Sequence, residues 1–331
     1  MKPYPLIFEP IFREKVWGGR ALEGLGKRLP PDVPIGESWE IADLKSTSPD
    51  GAGGDEAHSV IANGEMRGVS LDQAVRAMGA NLMGTVELTE YGGFPLLVKF
   101  LDARERLSVQ VHPGAAQAAA LGDGPKSEAW VVLDAEPNAV IACGLADGVS
   151  RDLFEAAFDT PGMEPLLKTY RPVEGDVFDV PAGTVHALGP GVVAYEIQQN
   201  SDLTFRVYDW GRGRELHLDE AREAVRDDLP DAGLVVPERI DDNASWLVRT
   251  DAFRVRRFRC SQPATLGTEA TFKLLTVLQG FGTLGWRSGG EHPPLRLKKG
   301  ETVLIPASVD TVFVSPIGEL EILWADPGEV R

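Results

Sequence analysis

Two stretches of the chain repeat one spacing. Residues 175–186 run Gly175, five residues, Pro181-Ala182-Gly183, two residues, His186. Residues 300–311 run Gly300, five residues, Pro306-Ala307-Ser308, two residues, Thr311. Glycine and proline alone would coincide by chance in a chain holding 36 Gly and 24 Pro. The shared Pro-Ala and the β-type residues on both sides point instead to one strand-turn-strand unit used twice. Its recurrence near the end of the chain sharpens the division into an earlier and a later β region. The even scatter of turn residues between short apolar runs agrees with a mainly β protein. Only the first copy ends on a ligand-type side chain, because Thr311 stands where the first copy has His186.

The length, 331 residues, suggests about two domains. After Asp241 the composition turns loop-like, and short β runs recur from Trp246 onward: Phe253 to Phe258, Leu274 to Leu278, Thr302 to Ile305 and Leu320 to Trp324. We therefore expect a first domain over 1–243 and a second over 244–331, the second without metal ligands. Lys and Arg number 33 against 50 Asp and Glu, a net charge of −17. That balance opposes non-specific binding to nucleic acid or to an anionic membrane, but leaves room for a local basic pocket. The cysteines, Cys143 and Cys260, lie far apart and in no CxxC, which fits reduced thiols in a cytoplasmic protein. Met1-Lys2-Pro3-Tyr4-Pro5 leads into no signal-peptide core, and no apolar run approaches the roughly 20 residues of a membrane span.

Along the chain, Pro5 to Pro10 reads as a short strand and Val16-Trp17-Gly18-Gly19 as a glycine turn. In Gly36-Glu37-Ser38-Trp39-Glu40-Ile41 a strand would place Ser38 and Glu40 on one face and Glu37, Trp39 and Ile41 on the other. Glu37 on the Trp39 face is odd for a surface strand; a strand end with its carboxylate in solvent is the plain alternative. Residues 45–60 are loop-like. Ser70 has cap chemistry for a helix carrying Leu71, Val75, Met78 and Leu82. Gly92-Gly93 breaks the chain before Phe94 to Leu101, a buried-strand pattern with one lysine, Lys99, which reaches either a pocket or solvent. Helical turns are expected over Gly114 to Leu121, about Ser150 to Tyr170 and Leu216 to Arg226, with β structure from Val173 to Trp210.

The candidate chemistry begins at Leu107-Ser108-Val109-Gln110-Val111-His112-Pro113. Strand alternation puts Ser108, Gln110 and His112 on one face. Lys126 and Glu128 share a face by the same period, and His186 closes the first repeat unit. Gln110, His112, Glu128 and His186 offer an amide oxygen, two imidazoles and a carboxylate, a donor set that suits Zn²⁺ or a similar ion. One carboxylate leaves such a site positive, which favours an anionic substrate or transition state. Packed or surface histidines are the plain alternative, and His58, His217 and His292 read that way. Further on, Glu196 and Gln198 share a face, and Thr204, Arg206 and Tyr208 lie opposite Leu203, Phe205 and Val207. An arginine so placed faces solvent in a simple sheet and a ligand cavity in a small barrel. Gly211-Arg212-Gly213 is no dinucleotide fingerprint, as no third glycine opens a helix.

Two resemblances follow. The unit from Gly175 to His186 resembles the second conserved motif of the cupins, small jelly-roll β-barrels, departing from it at Pro190, where asparagine is usual. More specifically, Gly36 to Glu40, Ser108 to Pro113, Lys126 to Trp130, Tyr195 to Asp202 and Thr204 to Asp209 resemble the type I mannose-6-phosphate isomerases, in order over residues 1 to about 215, with the compact bacterial form closest. The resemblance implies two cupin-like jelly-roll domains, with a few helices around the first. It implies one Zn²⁺ held by Gln110, His112, Glu128 and His186, and Arg206 as a catalytic arginine. Lys126, Glu196 and Asp202 become polar neighbours of the sugar, and Ser108 and Lys99 fall near the substrate. Aldose–ketose conversion moves a proton between C2 and C1 through a cis-enediol. Arg206 and Lys126 suit the developing oxyanion, and Glu196 is our choice of base, with a zinc-bound water as rival. The expected partner is thus a sugar phosphate; monomer and homodimer both suit the sequence. The alternatives are a different metal cupin enzyme and a non-catalytic sugar-phosphate-binding protein.

Overall fold

A computed structural model of the chain describes residues 2–47, 54–89, 93–229, 232–287 and 293–328. Gly92 and His292 lie outside the described residues. The fold is mainly β and cupin-like, as expected, but its strands form open antiparallel sheets stacked face to face rather than closed barrels.

A seven-stranded sheet runs in the order Gly233–Val235, Val177–Val180, Glu128–Ala135, Val192–Gln199, Leu96–Ala103, Ile35–Ile41, Ile11–Gly19. A five-stranded sheet runs Leu167–Tyr170, Ile141–Leu145, His186–Leu188, Val109–Val111, Phe205–Tyr208. The strands Leu96–Ala103 and Ile35–Ile41 are buried along their whole length; in the first apolar side chains point both ways, and in the second the face of Gly36, Ser38 and Glu40 is covered as well. On one side Val98, Phe100, Val131, Tyr195 and Ile197 join a core shared with Leu247, Phe253, Leu274 and Leu323. On the other, Leu101, Trp130, Val132 and Phe178 meet Ile141, Cys143 and Leu188 of the five-stranded sheet. The back of that smaller sheet is covered by Phe154, Phe158 and Ala221 against Val109, Val111, Phe205 and Val207. Strand alternation therefore leaves the residues between these valines and phenylalanines, Gln110 and Arg206, pointing between the two sheets.

Of the remaining strands, Asp43–Leu44 and Ala57–His58 pair with each other, and the others form a ten-stranded sheet around the long strands Lys273–Trp286 and Thr311–Pro327. The N-terminal strand Leu6–Glu9 pairs with Thr302–Ile305 of this sheet, Leu6 opposite Leu304, and so ties the first residues to the last third of the chain. Lys27 makes a second tie: its ammonium reaches Glu40 Oε2 at 2.6 Å and the carbonyl of Gly300 at 2.7 Å. The repeat is realised in the backbone. In each copy a glycine of positive φ (Gly175, 92°; Gly300, 79°) precedes a strand, Val177–Val180 or Thr302–Ile305. Each strand then turns through a bond to the proline carbonyl, from Thr184 N at 3.0 Å and from Val309 N at 2.9 Å.

Several local expectations need correction. The helix Leu71–Met78 carries its Ser70 capping box, but Gly79, at φ 51°, ends it, and Leu82 falls on a separate turn of helix, Ala80–Met83. The region Ser150 to Tyr170 is helical only over Arg151–Glu155; a 3₁₀ turn, Pro161–Leu166, and a strand, Leu167–Tyr170, follow. Pro161 and Pro165 lack the N–H that a continuing helix would need. Gly18 and Gly19 do not turn; they end the strand Ile11–Gly19. A Cβ on Gly18 would lie 2.4 Å from Gly36 N, so the residue serves close strand approach. The last expected helix is shorter than read, Leu218–Ala224. The loop region contains the short strands Ala57–His58 and Val60–Ile61. Both cysteines are free and buried. Among the described residues no helix is long and apolar enough to cross a membrane.

Candidate metal centre and substrate cleft

Register brings the candidate residues together. In the five-stranded sheet His186 lies opposite Gln110, which lies opposite Arg206. In the facing sheet one row runs Trp39, Lys99, Glu196, Trp130 across four strands. Glu128, two residues before Trp130, shares its face. The space between the two sheets is thus polar at one end and apolar at the other.

His112, Glu128 and His186 converge, with ligand-type atoms all within 4.8 Å of one another and each side chain about 1% exposed. His112 Nε2 stands 3.3 Å from Glu128 Oε2, and His186 Nε2 stands 3.3 Å from Glu128 Oε1. Each ring is oriented from behind: His112 Nδ1 donates to the Leu203 carbonyl at 2.9 Å and His186 Nδ1 to the Thr184 carbonyl at 2.8 Å. With Nδ1 carrying the proton, both Nε2 lone pairs face a carboxylate, an arrangement of acceptor against acceptor. Protonation does not relieve it. Burial, reinforced by Lys126, pushes the His112 imidazole down to about 3, and burial also lowers His186 against the pull of Glu128. His112 Nε2 and both Glu128 oxygens are buried without a hydrogen-bond partner. A cation among them would satisfy all three, so these residues fit a metal ion. Gln110 borders the cluster. Its Nε2 donates to His186 Nε2 at 3.2 Å and its Oε1 accepts from Ser108 Oγ at 3.3 Å, so offering the oxygen to a metal requires the amide to turn over.

Beside this cluster lies a cleft lined with cations: Lys15, Lys99, Lys126, Arg206 and Arg214, interleaved with Glu37, Glu196 and Asp202. Lys126 Nζ lies 3.6 Å from Glu128 Oε2. Lys99 is buried, not snorkelling; its ammonium is 3.0 Å from Glu196 Oε1. Burial opposes that charge, yet Glu196 and Glu37 together raise the Lys99 pKa. Glu196 also accepts Trp130 Nε1–H at 2.9 Å, and burial raises its pKa despite Lys99. Arg206 faces inward, buried, and donates from Nη1 to the Glu215 carbonyl at 2.6 Å. Past Arg206, Asp202 and Thr204 the cleft continues into a cavity of about 310 Å³ that His217 also lines. A larger cavity, about 600 Å³, lies elsewhere, by Tyr170 and Trp246, and holds none of the converging groups.

The plain readings of two residues are corrected. Glu37 is buried, not in solvent, and bonds Trp39 Nε1 at 2.6 Å. His58 is half-buried and bonds Asp43 Oδ1 at 2.6 Å. Sequence reasoning left Lys15, Glu37 and Arg214 out of the site. The Glu37 signal was its place on the Trp39 face. Arg214, clamped by both oxygens of Asp209 at 3.0 and 2.5 Å, follows an irregular segment and gave no periodic signal.

Comparison with known proteins agrees with this picture. The family model for the phosphomannose isomerase type I catalytic domain matches residues 6–143. The chain is 34% identical over 316 residues to mannose-6-phosphate isomerase ManA of Bacillus subtilis, covering 92% of this chain and 94% of that one. It is 32% identical to mannose-6-phosphate isomerase of Streptococcus mutans, covering 98% and 99%. A crystal structure of mannose 6-phosphate isomerase from Bacillus subtilis superposes with a TM-score of 0.84 at 30% identity, covering 97% of this chain and 99% of that one. Likeness of this extent over nearly the whole of both chains places the protein in a family, and it belongs to the type I phosphomannose isomerases.

Proposed function

We propose that the protein interconverts mannose 6-phosphate and fructose 6-phosphate as a zinc-dependent enzyme, through a cis-enediol. The observation that carries this reading is the pair of histidine lone pairs and the carboxylate, all buried and facing one another, beside a cationic cleft that Gln110 and Lys126 line. Zn²⁺, held by His112, Glu128, His186 and a turned Gln110, would supply Lewis acidity toward the sugar oxygens. The chain's own groups do the rest. Arg206 and Lys126 stabilise negative charge that develops on the carbonyl oxygen as the α-proton leaves. Glu196 moves that proton between C2 and C1; burial keeps its pKa raised, which suits a base, and Trp130 with Lys99 fixes its direction. Lys99, Ser108 and Asp202 seat the substrate. The chemistry belongs to residues 1–243 in this reading, and residues 244–331 supply no ligand.

The assay follows fructose 6-phosphate formed from mannose 6-phosphate by the Arg206→Ala variant. We expect kcat to fall by about 10²–10³-fold, the usual cost of one lost oxyanion donor, with a smaller change in KM. A loss confined to KM would give Arg206 a binding role. Zinc-loaded wild-type protein that binds the sugar phosphate without turning it over would make this a binding protein.

A further inference from the structure

Glu37 has no part in the reaction as proposed, yet it is a buried carboxylate in the cleft wall, 8% exposed. An isolated charge there would be strongly disfavoured. Three groups answer it. Trp39 Nε1 donates to Oε2 at 2.6 Å, Lys15 Nζ lies 3.3 Å from Oε1, and Lys99 Nζ lies 3.9 Å from Oε2. Lys99 is the one of these that also reaches Glu196, at 3.0 Å. Its ammonium further stands 5.5 Å from the centre of the Trp39 ring. Lys99 therefore occupies the middle strand of three, drawn toward Glu196 on one neighbour and toward the Glu37–Trp39 pair on the other. The contact with Glu196 is already closed at 3.0 Å, and the looser one with Glu37 at 3.9 Å limits the directions in which the ammonium can swing about it. Two opposed anchors hold it between them. Lys15 and the indole keep Glu37 itself in place and ionised.

We infer that Glu37 is a positioning residue, which fixes the direction of the Lys99 ammonium beside Glu196 and so presents it to the substrate. This rests on the reading of Lys99 as a substrate contact. The motif that carries Glu37 thereby gains a role toward the site on its Glu37–Trp39 face. Its other face serves the fold, where Ser38 Oγ donates to Glu40 at 2.6 Å and Glu40 pairs with Lys27.

The test compares the zinc-loaded wild type with Glu37→Gln, Lys99→Met and the double variant. Glutamine keeps the shape and still accepts the Trp39 N–H. We expect Glu37→Gln to lower kcat/KM for mannose 6-phosphate by about 10- to 100-fold, as loss of a group that orients a functional residue does. In the Lys99→Met background the same change should alter kcat/KM by less than about twofold. Losses that multiply would overturn the inference, because a merely structural role weakens either background alike. A second readout needs no turnover. The Lys99 ammonium resonance in ¹⁵N-lysine spectra, identified by its absence from Lys99→Met, should shift in Glu37→Gln; an unchanged resonance overturns the inference. A wild type that does not isomerise would sink the functional reading and leave this spectrum to decide on Glu37. Should Glu37→Gln fail to fold, Glu37→Asp withdraws the carboxylate by one methylene, and the same displaced resonance is expected.

Discussion

The two copies of the strand-turn-strand unit share a backbone and differ in what fills the space beside them. The first ends on His186, whose neighbours are Gln110, Glu128 and Trp130. The second ends on Thr311, and the sheet beyond it is packed with Val277, Val303, Ile305, Val312, Val314, Ile322 and Trp324. Buried charge exists in both regions but is treated differently. In the C-terminal sheet, Asp326 takes Arg254 Nε at 2.7 Å and Lys273 Nζ at 3.0 Å, a cation on each carboxylate oxygen. At Glu128 both oxygens face imidazole lone pairs and lack a hydrogen-bond partner. A scaffold can therefore carry buried ions for structure, when they are closed among themselves, or for chemistry, when a group from outside must complete them. The comparison also explains why the N-terminal strand is lent to the C-terminal sheet: the filled copy supplies a firm wall behind the seven-stranded sheet that holds Glu128, Lys99 and Glu196.

Changes on the two sides should separate. The largest effect is expected from Glu128→Gln, which removes the anion that the two histidines face. It should abolish stoichiometric zinc binding, seen by elemental analysis, and lower kcat/KM by more than the roughly 10- to 100-fold that loss of an orienting partner costs. Next comes Asp326→Asn, which removes the buried carboxylate from Lys273 and leaves it the more distant, exposed one of Glu269 at 3.6 Å. Chemical denaturation should show a loss of about 3–5 kcal/mol, with zinc content and kcat of the folded fraction unchanged. Acid should act through the site region as well. Glu37 is held down to about 2, since the burial that would raise it is outweighed by Lys15, Lys99 and Trp39. A carboxylate depressed in the folded state stabilises above its unfolded pKa, and that stability is lost as pH falls through the folded value. Metal-free protein should therefore lose about 3 kcal/mol through Glu37 between about pH 4.5 and 2, and Glu37→Gln should flatten that part of a stability–pH curve. The smallest effect is expected from Thr311→His: opposite Gly267 and next to the apolar cluster of Val312, the imidazole should bind no second zinc in a titration.

Much of the site was legible because period-two alternation is a local rule. It put Gln110 beside His112, Glu128 beside Lys126 and Arg206 opposite Phe205 and Val207 without knowledge of any other strand. The fold class was legible for the same reason, together with the repeated turn. What stayed hidden needs strand neighbours. The row Trp39, Lys99, Glu196, Trp130 draws on four strands, and nothing within Ile35–Ile41 says that Lys99 lies beside it. Glu37 was therefore seen as anomalous but not assigned. The same limit misled the reading of Arg206 as either solvent-facing or inward; only the facing sheet decides that. The segment from Ser150 to Tyr170 failed differently: its apolar spacing at Leu153, Phe154 and Phe158 is helical, but Pro161 and Pro165 end that geometry before Leu167.

On the reading proposed above, a metal that the reaction requires completes the acceptors gathered at Glu128. The most direct measurement strips the purified protein with a chelator, removes the chelator, and follows fructose 6-phosphate formation from mannose 6-phosphate as Zn²⁺ is added back. Turnover should disappear on stripping and return in full at one zinc per chain. Full turnover by the stripped, metal-free protein would contradict it.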